Sequence, residues 1–235
     1  MLQFLHFFQK LTLTDDAGKL IDIGALYNLL LYIFAEEAGK KINNVLTPKE
    51  VIGLVAELIG DNKDNNSLCD PVSGSGTLLV EVGKRVGIRG ANIFGQEANW
   101  NQYALTKMNL MLNGFKDSTF FWGDSLSNPK LTDDGGLKRF DIVASIPPFA
   151  DKWATEEAEF DRYGRFQYGI PPRSQATWAY ISHILASLKP NGRAVVVVPA
   201  GVLFRTSESK IRHQIIEHNL SLIHISEPTR RRGIS

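Results

Sequence analysis

An acidic residue, a proline and two glycines stand together in Asp70-Pro71-Val72-Ser73-Gly74-Ser75-Gly76-Thr77-Leu78-Leu79. The apolar stretch Ser67-Leu68-Cys69 leads in as a strand, and a helix follows from about Ser75 or Gly76. Glycine reaches backbone conformations closed to other residues and lets a ligand approach the main chain. The N-terminus of the following helix offers free N–H groups and a positive dipole end, which suits a carboxylate or phosphate. Strand, glycine turn and helix describe a nucleotide-type binding corner. No Gly-Lys-Ser/Thr follows, so it is not a phosphate-cradling P-loop. Leu79 stands where the dinucleotide fingerprint needs its third glycine or alanine.

Three more unusual sequences recur downstream. Glu97 closes Gly95-Gln96-Glu97, Asp124 lies in Gly123-Asp124-Ser125-Leu126, and Pro147-Pro148-Phe149 comes next. From Asp70 to Glu97, Asp124 and Pro147 the steps are 27, 27 and 23 residues, each about one strand–helix unit. In a parallel sheet all four positions fall on one edge, where ligands bind in the crevice. An acid ending the second strand can accept hydrogen bonds from a ligand's hydroxyls, and Asp124 can accept from an amino group. Singly, such carboxylates are ordinary solvated loop residues. Four unusual strand ends in register are a site.

The elements that must position them alternate strand and helix, so the expectation is an α/β protein with a mostly parallel sheet and helices on both faces. Strands are expected at 67–70, 92–96, 118–122, 140–145 and 193–199, with helices at about 75–87, 99–113, 174–188 and 207–218. Val195-Val196-Val197-Val198 reads as a central strand buried on both faces, preceded by a turn at 188–192. Upstream, Leu26, Leu29, Leu30, Ile33 and Phe34 recur at helical spacing between Ile21 and Ala38, with Gly39-Lys40-Lys41 as the stop. Thr47-Pro48-Lys49-Glu50 reads as a second helix start, with Thr47 as cap. Residues 1–46 are expected to form a truncated helical N-terminal segment, 47–220 the main domain, and 221–235 a disordered or non-native tail.

Composition bounds the partners. A net charge of +1 over 235 residues gives no support for nucleic-acid binding by bulk charge. Cys69 is the single cysteine, which excludes a disulfide framework and a cysteine-based metal site; no metal is expected. The apolar runs fall short of the roughly 20 residues of a membrane span, and Met1–Phe8 lacks the basic start and cleavage site of a signal peptide. The expectation is a cytoplasmic protein with no membrane partner.

The Asp-Pro-x-x-Gly-x-Gly turn resembles motif I of S-adenosylmethionine-dependent DNA methyltransferases that act on amino groups. With Ala38-Gly39-Lys40-Lys41, Thr47-Pro48, Gln96-Glu97, Met108-Asn109-Leu110, Asp124-Ser125, Pro147-Pro148-Phe149 and Tyr168-Gly169-Ile170-Pro171-Pro172, the chain is similar over about 21–220 to the methyltransferase core of the modification subunit of type I restriction-modification systems. The resemblance implies a Rossmann-like class I methyltransferase fold, S-adenosylmethionine as cofactor, and adenine flipped out of DNA as substrate. It also implies a specificity subunit and a restriction subunit as partners. It assigns Thr47, Pro48, Asp70, Pro71, Ser73, Gly74, Ser75, Gly76, Glu97, Asp124 and Ser125 to the cofactor, and positions 146–149 to catalysis: Ile146, Pro147, Pro148 and Phe149.

Two departures bear on that reading. The family's Asn, which holds the base's amino group, falls on Ile146, and an apolar side chain accepts no hydrogen bond. Ile146 is expected to face the substrate, with Ser145 pointing the other way, and methyl transfer is expected to be impaired. Val45-Leu46 replaces an aromatic residue before Thr47-Pro48. The rival reading is a non-catalytic subunit that holds cofactor and partner; a third is a methyltransferase acting on RNA or protein.

Overall fold

The structure is a computed structural model that describes residues 22–37, 47–60, 66–149 and 152–220. Three residues, Leu68–Asp70, form the first strand, β1, and all three are buried. The chain then builds outward on one side of it. Helix α3 (Thr77–Arg85) leads to β2 (Ile93–Glu97), and α4 (Trp100–Leu112) leads to β3 (Thr119–Trp122). It next crosses back over β1 to β6 (Phe140–Ser145), and helix α6 (Thr177–Ala186) leads to β7 (Leu188–Val196). The sheet order is β3-β2-β1-β6-β7, every pairing parallel. The order reverses between β1 and β6, so a crevice opens at their carboxyl ends.

Alternation along the strands separates two cores. Leu68, Ile142 and Ala144 face a cluster with Ile52, Val55, Ile59, Leu79, Val82 and Leu110, from α2 (Lys49–Ile59), α3 and α4. Cys69 and Val143 face the opposite cluster, with Phe140 and Ile184. Each fully buried aliphatic side chain contributes about 1.5–3 kcal/mol. The Cys69 thiol is a core group, as its apolar strand implied, and burial pushes its pKa well up. Helix α7 (Ser209–Glu217) packs Ile211 and Ile215 against Trp178 and Val202. Helix α1 (Ile23–Glu37) is tied to α4 by the Tyr27 hydroxyl, which donates to Leu105 O at 3.2 Å. Among the described residues, no helix is long and apolar enough to cross a membrane.

Several boundaries differ from expectation. β7 is the outer strand among the described residues, and its valines are half-buried. A β-branched run reports strand propensity rather than a central place in the sheet. The expected turn at 188–192 falls within β7 as an irregularity: Leu188 pairs with Phe140, residues 189–192 bulge out without ladder partners, and Arg193 pairs with Ile142. Thr47 makes no side-chain cap; Pro48 flanks the first turn of α2, and Thr47 O accepts from the Tyr32 hydroxyl at 2.8 Å. A hairpin went unread: β4 (Thr132–Asp133) and β5 (Gly136–Leu137) pair antiparallel across Asp134-Gly135, both at positive φ. The short helix α5 (Glu156–Glu159) was also unread. The expected segments before residue 22, the stop at 39–41 and the tail at 221–235 lie outside the described residues.

Candidate cofactor and substrate site

The turn after β1 is fixed from three sides. Gly74 and Gly76 take positive φ, +57 and +75. A Cβ on Gly76 would lie 2.5 Å from Thr106 Cγ2, so no larger residue fits there. The Thr106 hydroxyl donates to Gly74 O at 2.6 Å, and Asn109 Nδ2 donates to Ser75 O at 3.2 Å. Both come from α4, whose N-cap Asn99 accepts from Asn101 N and Gln102 N. From β2, Gln96 O accepts from Ser73 N at 3.2 Å. Glu97 Oε2 accepts from Gly74 N at 2.8 Å, and its Oε1 from Asn99 N at 2.7 Å. Burial raises the Glu97 pKa, opposed by those N–H groups.

Asp70 is turned inward, only 2% exposed. Its Oδ1 accepts from Val72 N at 3.0 Å and from the Ser145 hydroxyl at 2.7 Å. Desolvation pushes its pKa up to about 7, although both hydrogen bonds favour the ionised form. Asp70 therefore shapes the turn and bridges β1 to the end of β6. Beyond β3, Asp124 accepts from Leu126 N at 2.8 Å and from the Ser127 hydroxyl at 3.1 Å. Ser125 is buried and its hydroxyl donates to Pro71 O at 2.5 Å. Ser75 and Thr77 share a hydroxyl–hydroxyl bond of 2.9 Å. Thus Asp70, Pro71, Ser73, Gly74, Ser75, Gly76, Glu97, Asp124 and Ser125 come together at one edge, whereas Thr47 is tied to α1 and Pro48 caps the first turn of α2.

On the neighbouring strand end, Pro147 is buried and Phe149 is 48% exposed. The Thr177 hydroxyl reaches Pro148 O at 3.4 Å. Ser145 points to Asp70, as alternation predicts. Ile146 is half-buried and packs against the cluster under α2, α3 and α4. It is a partly buried apolar side chain at the end of β6, beside Pro147, and offers no hydrogen-bond acceptor there.

Sequence reasoning missed four supports. Thr106 and Gln96 are buried polar residues whose partners lie far along the chain. Gln96 holds the loop after β3, with Nε2 donating to Asn128 O at 3.0 Å and Oε1 accepting from Lys130 N at 2.9 Å. Arg165 and His183 are the others. The signal available for Thr106 was its place, three residues before Asn109, on the inner stripe of α4. Beside Glu97 the rim is aromatic: exposed Trp100 and Trp122 meet edge to face at 5.1 Å, and Trp122 Nε1 donates to Ala98 O at 2.9 Å.

Residues 20–228 match the family described as N-6 DNA Methylase. The chain belongs to this family. Among its relatives, the type I restriction enzyme HindI methylase subunit of Haemophilus influenzae is 30% identical over 207 residues, covering 84% of this chain and 45% of that protein. The MjaVIII methylase subunit of Methanocaldococcus jannaschii is 32% identical over 227 residues, covering 92% of this chain and 39% of that protein. The chain thus spans less than half the length of these family members. The solved type I restriction-modification methyltransferase subunit of Streptococcus thermophilus superposes with a TM-score of 0.66 at 30% identity, over 74% of this chain and 38% of that one. The parallel sheet described above is part of the fold that the chain shares with that subunit.

Proposed function

We propose that this chain is the catalytic core of an adenine N6-specific DNA methyltransferase, the modification subunit of a type I restriction-modification system. The observation that carries the reading is a pair of links from the β1 turn to its two neighbouring strands, one of them across the switch point. Glu97 ties the glycine turn to the end of β2, and Ser145 ties Asp70, and with it that turn, to the strand that delivers Pro147-Pro148-Phe149. One strand end therefore serves a cofactor and its neighbour a planar base.

The residues fit S-adenosylmethionine. The positive φ of Gly74 and Gly76 carries the main chain tightly round the strand end where the ligand's amino-acid part approaches. Glu97 and Asp124 are carboxylates with lone pairs beyond those used by backbone N–H groups, suited to ribose hydroxyls and an adenine amine. When bound, this cofactor supplies an electrophilic methyl group. The chain's own task is to hold the acceptor nitrogen in line with it, and such positioning is worth several kcal/mol. Phe149 presents a ring face for a flipped base, and the Pro147 carbonyl is the acceptor for its amino group. Position 146 supplies no second acceptor. DNA, a specificity subunit that chooses the sequence and a restriction subunit are the partners this reading implies.

Methyl transfer to DNA from labelled cofactor, with the specificity subunit present, tests the reading. The native chain is expected to methylate adenine slowly and Ile146→Asn faster, by on the order of 100-fold if one oriented hydrogen bond is restored. No transfer from either protein would favour the second reading, a cofactor- and partner-holding subunit, for which the apolar packing of Ile146 speaks. The family match favours DNA over RNA or protein as the substrate.

A further inference from the structure

The crossover from β6 to α6, residues 146–176, is far longer than the 2–6 residues such a connection needs. Its part from residue 152 onward is folded into a strap. Trp153 N donates to Arg173 O and its Nε1 to Pro172 O, each at 3.1 Å. The Trp153 ring lies 5.1 Å from Phe166. These residues join Leu126, Ala176 and Tyr180 in an apolar cluster against which Val72 of the glycine turn packs.

At the centre sits Arg165, only 4% exposed. Its Nε donates to Asp161 Oδ1 at 2.8 Å within the strap. Its Nη1 donates to Leu126 O at 2.9 Å and Ser125 O at 3.3 Å, both in the loop after β3. Ser125 in turn donates to Pro71 O. The guanidinium stacks over the Phe166 ring at 5.2 Å and faces His183 Nδ1 at 3.4 Å. Burial, with the Arg165 charge adding to it, lowers the His183 pKa to about 3, so the ring is neutral beside the cation. A buried arginine is costly unless its fork is filled. Here the fork is filled by carbonyls of one loop and a carboxylate of another.

We infer that Arg165 is a positioning residue that couples the cofactor edge to the strap following Pro147-Pro148-Phe149, so that cofactor binding orders the substrate side. The path runs from Pro71 through Ser125 to Arg165, and from Arg165 through Phe166 to Trp153. The inference rests on the cofactor reading of the edge given above.

Hydrogen exchange of the full chain, with and without S-adenosylmethionine, tests it together with cofactor calorimetry. In the native chain, cofactor is expected to slow exchange at 70–76 and 95–99 and also at 152–173. Arg165→Lys keeps the charge beside Asp161 but loses the fork to the two carbonyls. It is expected to bind cofactor about tenfold more weakly, within the usual range of coupling between sites, and to protect 70–76 while leaving 152–173 unprotected. Arg165→Met, if folded, behaves the same. A lower unfolding midpoint in Arg165→Lys with undiminished cofactor-dependent protection of 152–173 reduces Arg165 to a structural strut and overturns the inference alone. No binding heat from the native chain overturns the inference and the cofactor reading together.

Discussion

Asp70 is an acid whose protonation the fold has altered. Burial holds its pKa near 7, against 3.8 for a free side chain. The folded state keeps a proton that the unfolded chain releases, so this group's stabilisation is full below about pH 4 and is lost as the pH rises through about 7. The unfolding midpoint is expected to decline across that window, and Asp70→Asn, which does not titrate, should flatten the decline. Parallel profiles for the two proteins would place the titration elsewhere. Ser145→Ala removes the hydroxyl that favours the ionised form and should move the window upward. Ile146→Asn trades differently. It puts a polar side chain against an apolar cluster, so a cost of about 1–3 kcal/mol is expected in chemical denaturation even where transfer is gained. An unchanged stability would mean the side chain leaves the core for the crevice. Asp70, Glu97 and Asp124 were legible because strand ends recur at a regular interval. The inward turn of Asp70 and the packing of Ile146 were not, since strand alternation names a face but not what covers it.

At the scale of elements, the glycine turn is the part whose geometry tolerates least. Gly76→Ala asks for a positive φ and for a methyl 2.5 Å from Thr106 Cγ2. Strain of that kind costs about 1–3 kcal/mol, and the displaced Thr106 would release its bond to Gly74 O. Lower thermal stability and weaker cofactor binding are expected together; a variant that loses neither would show that the turn relaxes freely. The strand and helix sequence was readable because β-branched runs and helical spacings are strong local signals. The hairpin at Asp134-Gly135 carried its own turn signal but has strands of only two residues, too short to show alternation. The jump in register between Phe140 and Ile142 left no local trace, because pairing depends on a second strand.

For the whole molecule, the order β3-β2-β1-β6-β7 puts the reversal of winding at β1 and β6, and the two site-bearing turns follow from it. The resemblance to type I modification subunits implied a Rossmann-like fold, but the strand order itself was not read, because periodicity does not rank strands across a sheet. The strap shows the same limit: Trp153, Arg165 and Phe166 read as an irregular polar and aromatic stretch until Leu126 and Val72 are seen beneath them.

The aromatic rim gives the protein an optical handle. Of its four tryptophans, Trp153 and Trp178 are buried, whereas Trp100 and Trp122 stand in water beside Glu97. Their indoles should emit at longer wavelength and be open to a soluble quencher such as acrylamide. A ligand seated against Glu97 and Asp124 would screen Trp122, which is tethered to Ala98 O. Adding S-adenosylmethionine should then reduce quenching of the red-edge emission in the native chain, and Trp122→Phe should abolish most of that change. A quenching constant indifferent to the cofactor in the native chain would place the ligand away from this rim. Light from one side chain thus becomes a gauge of occupancy for the whole edge.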